Sequence, residues 1–348
     1  MYVTATPLQK KPLTTIQALR AIAALSVVLK HTVLDVGNFG VDIFFVISGF
    51  IISYVAWSDP KDFFMRRLFR VVPLYWLGTL VVASLALIFP EPLRHPMRGM
   101  ADLLCSLLFI PYRSPNGFLQ PVLFLGWTLN FEMYFYSIFA VSIWVSCKNG
   151  FVVVLTTIVL LVLLGVAVRF DSVQLKFWTN PIMIEFCFGV VLFKMWEQKW
   201  IPMVPPGVAI VMATIPMVVL GTLERQGFAG ERFLWSGVPA FFVVMLALTS
   251  EGRLAIPALL VMIGDASYSL YLFHPYLVIG LYKVLAIFSS SIVLEYLLIG
   301  PAVILAVVFA LLSYRFIERP SNIWLRSKYR SVVESKDTTG SSPPISIP

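Results

Sequence analysis

Arg20 and His31 lie eleven residues apart in an otherwise apolar run. On an α-helix that spacing is roughly 1100°, or three turns and about 20°, so the two side chains share a face about 16 Å apart along the axis. Gln17, Ala24 and Val27 fall on the same stripe. Polar ends with small residues between them read as the wall of a cavity. A histidine there can serve as general base or nucleophile, and an arginine can hold a developing oxyanion. The structural alternative is an arginine that binds carbonyls and a buried histidine that aligns with it. Intramembrane charges cost at least ~2.5 kcal/mol each even on mild scales, which makes them functional by default. Lys30 lies about 100° from His31 on the helix and can snorkel outward.

Two carboxylates are placed at a depth similar to that of His31. Asp42, in the segment from Gly40 to Phe50, opens the next apolar run. An Asp beside a His orients the imidazole and raises its basicity. The alternative is a carboxylate that favours a helix start through the dipole. Glu132 sits in the aromatic block Trp127 to Tyr136, about 7–9 Å below the start of its run. Its alternative is a structural pairing with Arg20 or Arg169. Arg66, Arg67 and Arg70 precede Pro73 at one mouth of the third run. Guanidinium groups match phosphate oxygens in bidentate geometry, which suits an anionic cytosolic cofactor. The plainer reading is a topological signal. His274 precedes Pro275, which should kink its helix, and the histidine is read as a cap on that kink. Glu185 and Lys283 carry no assigned role.

The elements that must hold these groups are membrane helices. The chain has 348 residues, of which 59% are hydrophobic and 13% charged. The charged share is roughly half of the ~25% usual for a soluble domain, which excludes a soluble globular protein and, outside the tail, a disordered one. About ten runs reach the required ~20 residues, near 14–34, 40–57, 71–89, 126–146, 151–169, 180–197, 206–223, 233–250, 266–287 and 293–314. Two shorter runs, 102–110 and 253–263, read as interfacial or re-entrant. The expected fold is an all-α polytopic membrane protein. The net charge of +8 does not mark a nucleic-acid binder, because the basic residues sit between apolar runs. Their distribution favours one side by roughly two to one and puts both termini in the cytoplasm. The first run reads as an uncleaved span. Cys105, Cys147 and Cys187 form no CxxC pair, and His31, His95 and His274 are far apart. Neither a disulfide framework nor a metal site is expected. The expected organisation is a cytoplasmic segment 1–13, a membrane domain 14–320 and a cytoplasmic, disordered tail 321–348.

Taken in order, these segments resemble the integral-membrane acyltransferase-3 family. Arg20 and His31 match its Arg-x10-His pair, Gly40 to Phe50 its glycine–aspartate–phenylalanine segment, and Arg67 and Arg70 its Arg-x-x-Arg. Trp127 to Tyr136, Gly264 to His274 and Glu318-Arg319-Pro320 resemble its later blocks. The wording from Ile16 to Ala24 is similar to that of the ExoZ-like exopolysaccharide acetyltransferases, while Lys30 departs from the apolar or aromatic residue usual before the histidine. The resemblance implies O-acyl transfer, with acetyl foremost, from cytosolic acetyl-CoA or another acyl-CoA to a hydroxyl of an exopolysaccharide or its lipid-linked precursor. It implies a multi-pass protein of the bacterial inner membrane. In that frame Arg66, Arg67 and Arg70 hold the CoA phosphates, and His31 is general base or is transiently acylated. Asp42 or Glu132 orients His31, and Arg20 stabilises the thioester oxygen. Other readings are a transporter or flippase of glycan intermediates, a non-catalytic subunit of an export complex, and an acyltransferase acting on a lipid or small hydrophobic metabolite.

Overall fold

The computed structural model describes residues 13–58, 62–88, 98–114, 117–146, 149–228, 230–286 and 291–339. His95, Cys147, residues 1–12 of the expected N-terminal segment and residues 340–348 of the expected tail fall outside them. Among the described residues there is no strand. The helices are α1 (Thr14–Lys30), α2 (Phe39–Ser58), α3 (Phe63–Ile88), α4 (Met100–Leu107), α5 (Gly126–Val145), α6 (Gly150–Val168), α7 (Val173–Trp178) and α8 (Ile184–Glu197). They continue with α9 (Pro206–Arg225), α10 (Val238–Thr249), α11 (Ala258–Asp265), α12 (Ser267–Ala286), α13 (Ile292–Leu297), α14 (Ile299–Ser313) and α15 (Arg319–Thr339).

Six of the helical stretches are long and apolar enough to cross a membrane. They are Phe39–Ala56, Phe63–Ile88, Gly150–Val168, Val173–Glu197, Pro206–Arg225 and Ile292–Val333. The protein is a multi-pass helical membrane protein. The expected ten spans exceed this number. α1 is one shortfall, with 17 residues and Arg20 inside it. The stretch Phe233–Thr249, a π-helical turn followed by α10, is another, being shorter than the spans above. α3 begins at Phe63, so Arg66, Arg67 and Arg70 lie in its first turns, ahead of the apolar run expected at 71–89. The expected disordered tail is a helix, α15, as far as Thr339.

The core is centred on α2, which packs against α1, α5, α8 and α10. α2 and α8 meet through glycines. A Cβ on Gly49 would stand 2.1 Å from the Phe186 carbonyl oxygen, and one on Gly189 would stand 2.1 Å from that of Val46. Small residues give such backbone proximity, which replaces the hydrophobic drive that lipid does not supply. Around the crossing lie Phe45, Phe50, Phe135, Phe186 and Phe193, all buried. Phe135 and Phe186 stack at 4.6 Å between ring centroids.

Two distant carboxylates fix the helix starts that frame the site. Glu251 accepts from the backbone N–H groups of Thr14 and Thr15 at 3.0 and 2.9 Å, and from both hydroxyls at 3.1 and 2.6 Å. Glu224 accepts from the N–H groups of Gly37, Asn38 and Phe39 at 2.9, 2.9 and 2.7 Å. The first turn of a helix leaves N–H groups unpaired, and a carboxylate there satisfies them and complements the dipole. α1 is thus held at its Thr14 end, and the chain just after His31 is held where α2 begins.

Candidate active site

His31 terminates α1 and is half-buried. Its Nδ1 lies 2.9 Å from the Val27 carbonyl oxygen and 3.1 Å from Nε2 of His274. His274, fully buried in α12, has its own Nδ1 2.9 Å from the Leu270 carbonyl oxygen. These contacts assign the protons. Both carbonyls only accept, so each Nδ1 carries a hydrogen. Nε2 of His274 is then an acceptor, and the His31 Nδ1–H is shared between Val27 and His274. Nε2 of His31 is left as a bare lone pair, the form a general base requires. The C-terminal end of α1 favours positive charge on the ring once that nitrogen takes a proton.

The sequence casts His274 as a cap on a kink at Pro275. Its Nδ1 meets the Leu270 carbonyl of its own helix, and its second nitrogen is aimed at His31. The positions His31 and His274 are 243 residues apart, and no local spacing signals the contact. The block Gly264 to His274 was the available sign.

The carboxylates are placed otherwise than expected. Asp42 does not orient His31. It is fully buried and forms a bidentate ion pair with Arg232, whose Nε and Nη2 stand 2.7 and 2.9 Å from its two oxygens. Arg232 directly precedes the π-helical turn, and its guanidinium also lies 6.0 Å from the Trp127 ring. Glu185, fully buried in α8, faces the same pair. Glu132 does not orient His31 either. Its Oε1 accepts from the Ser48 hydroxyl at 3.0 Å and from the Tyr136 hydroxyl one turn along α5.

Glu132 belongs instead to a cavity of about 770 Å³ empty volume, lined also by Arg20, Arg67, Arg70, Ser48, Tyr268 and Tyr271. Arg67 is buried, and Arg20 and Arg70 are half-buried. Arg20 donates to the Ser267 hydroxyl at 2.8 Å. Glu318, the acid of the closing Glu-Arg-Pro block, accepts from Ser269 at 2.6 Å. Arg66 is half-buried and lies outside the cavity lining. The cavity therefore gathers Arg20, Arg67, Arg70 and Glu132, while His31 and His274 stand apart from it. Tyr271 lies between. It lines the cavity, its hydroxyl is 2.9 Å from that of Thr128, and its ring centroid is 6.3 Å from that of His274. Phe44 meets the Tyr271 ring at 5.9 Å. The stripe from Arg20 to His31 is thus interrupted by an aromatic pair.

This arrangement suits a group-transfer enzyme with an anionic substrate on one side and a proton acceptor on the other. The family model described as an acyltransferase domain (Acyl_transf_3) matches residues 13–315. The chain belongs to this acyltransferase family. It is 36% identical over 309 residues to the "Exopolysaccharide production protein ExoZ" of Rhizobium meliloti (strain 1021), covering 82% of this chain and 89% of that protein. It is 26% identical over 347 residues to a "Putative O-acetyltransferase" of Staphylococcus aureus (strain COL), covering 88% of this chain and 56% of that one. The same identity over 358 residues relates it to the "Putative peptidoglycan O-acetyltransferase YrhL" of Bacillus subtilis (strain 168), covering 88% and 54%. The chain thus spans about half the length of these last two relatives. No solved structure matches it. The chain is an O-acyltransferase.

Proposed function

We propose that this acyltransferase moves an acetyl group from cytosolic acetyl-CoA to a hydroxyl of an exopolysaccharide or its lipid-linked precursor, in the bacterial inner membrane. The observation that supports the reading is the pairing of His31 with His274, across the Tyr271 ring from a cavity lined by Arg20, Arg67 and Arg70. The exopolysaccharide acceptor rests on the similarity to the Rhizobium protein, whose name describes exopolysaccharide production.

Acyl-CoA supplies the acyl group as an activated thioester. Arg67 and Arg70, with Arg66 beside them, hold its phosphates, since planar guanidinium groups bind phosphate oxygens in pairs. Arg20, anchored to Ser267, holds its charge toward the oxygen on which negative charge develops. Nε2 of His31 takes the proton of the acceptor hydroxyl as its oxygen attacks the acyl carbon. The carbon–sulfur bond breaks, and the proton passes to the departing thiolate. His274 accepts from Nδ1–H throughout and keeps the ring in register. Asp42 and Glu132 act through structure: the first locks α2 to the loop before α10, and the second balances the guanidinium groups.

The test is the O-acetyl content of surface polysaccharide, read by proton NMR in a deletion strain complemented with wild type or His31→Ala. Restoration by wild type alone supports the proposal. Restoration by both makes His31 structural, and an unchanged signal in the deletion strain removes polysaccharide as the acceptor.

A further inference from the structure

The guanidinium face of the cavity continues beyond it. α15 packs along α3. The rings of Phe69 and Tyr329 meet there at 5.6 Å, and the Tyr329 hydroxyl donates to Asp62 Oδ1 at 2.7 Å. Arg326 and Arg330 are four residues apart and flank Tyr329 on the same helical face. The charged groups that act on Arg326 are the guanidinium groups of Arg70, Arg66 and Arg330, and Arg326 acts in turn on Arg67. Inside the cavity Arg20 has Glu132, Glu318 and Asp265 as neighbouring carboxylates. On α15 the balance differs. Arg326 and Arg330 are exposed, and among the described residues neither forms an ion pair with a carboxylate. Like charges brought together repel, and an anion shared among them removes that cost. A phosphate monoester, with a charge of about −1.5 to −2 near neutral pH, is the anion such a cluster fits.

We infer that Arg326 and Arg330 complete, with Arg66 and Arg70, a phosphate site for the nucleotide end of the acyl donor. α15 is then half of the donor site. The inference rests on the acyl-CoA reading above. It also goes beyond the family model, which ends at residue 315. The shared chemistry is phosphate, which an anionic lipid headgroup also carries. Continuity favours the donor, because Arg70 both lines the cavity and acts on Arg326.

The experiment uses the full chain in lipid nanodiscs, with CoA and 3′-dephospho-CoA as titrants. Discs of neutral phosphatidylcholine are compared with discs containing phosphatidylglycerol. Wild type is expected to bind CoA at least tenfold more tightly than Arg326→Gln/Arg330→Gln in both lipids. Arg326→Lys/Arg330→Lys should recover part of the loss, which a fold defect would not. A loss larger for CoA than for 3′-dephospho-CoA assigns the pair to the 3′-phosphate, and an equal loss assigns it to the pyrophosphate. Unchanged CoA affinity in the glutamine variant overturns the inference and leaves the donor reading standing. A difference confined to phosphatidylglycerol discs overturns it in favour of a headgroup. Failure of wild type to bind CoA overturns both.

Discussion

His31 and His274 form one hydrogen-bonded unit, and that fixes how each should respond to substitution. His31→Ala removes the bare Nε2 and should lower acetyl transfer by roughly 10²–10⁴-fold, the usual contribution of a general base. His274→Ala keeps that nitrogen and the Val27 contact, but it removes the second acceptor of Nδ1–H and leaves the ring held less firmly. It should lower kcat by about 10–100-fold with KM for the acceptor little changed, and initial rates on purified enzyme separate the two parameters. An equal rise in KM for acceptor and donor would mark His274 as packing only. Asp42 belongs to a different class. Asp42→Asn should destabilise the fold by less than the ~3–5 kcal/mol of a fully buried broken pair, because the Arg232 side chain keeps 27% exposure. Thermal unfolding should show the loss, while the folded fraction keeps its specific activity. A loss of activity at full stability would instead return Asp42 to the chemistry.

At the scale of elements, the aromatic pair between cavity and histidines should act as a gate. Phe44 on α2 and Tyr271 on α12 meet edge to face, and on the proposed reading the acyl group passes between these two helices. Phe44 and Tyr271 both line the cavity. Phe44→Trp should lower acetyl transfer at least tenfold and weaken CoA binding by less than that, and equal losses of binding and transfer would assign Phe44 to donor binding and not to passage. α1 in turn depends on Glu251. Its carboxylate holds two N–H groups and two hydroxyls at the first turn, so Glu251→Ala should cost more than the ~1 kcal/mol of a single lost cap. Denaturation of the purified protein measures it, and an unchanged midpoint would remove this clamp from the account.

For the whole molecule, the proposed reaction needs donor and acceptor ends on opposite sides of the bilayer. α1 places Thr14 beside Glu251 at one end and His31 at the other, and Tyr329 on α15 meets Asp62 just before α3. In a chain whose native cysteines are replaced, Asp35→Cys should label with a membrane-impermeant maleimide in intact cells. Ser331→Cys should label only after lysis. Labelling of both in intact cells would contradict the proposed topology.

The apolar runs foretold most helix limits, because a helix in lipid must satisfy its own backbone and carries an apolar surface of readable length. Residues 126–146 and 151–169 correspond to α5 and α6 within a residue. Spacing alone put Arg20 and His31 on one face, but in the structure Arg20 lines the cavity while His31, which ends α1, stands outside it. What lies across segments was not legible. Asp42 and Glu132 have the right depth to serve His31, but depth along one axis does not say which neighbour a side chain faces. α2 turns Asp42 toward Arg232, α5 turns Glu132 toward Ser48 and Arg20, and α12 brings His274 to the imidazole. α15 escaped for a related reason. Its charged sequence carries no apolar run, and its arginines come beside those of α3 only through packing. Local composition specifies the helices, whereas partner choice depends on rotation and crossing between them, which only the packed structure decides.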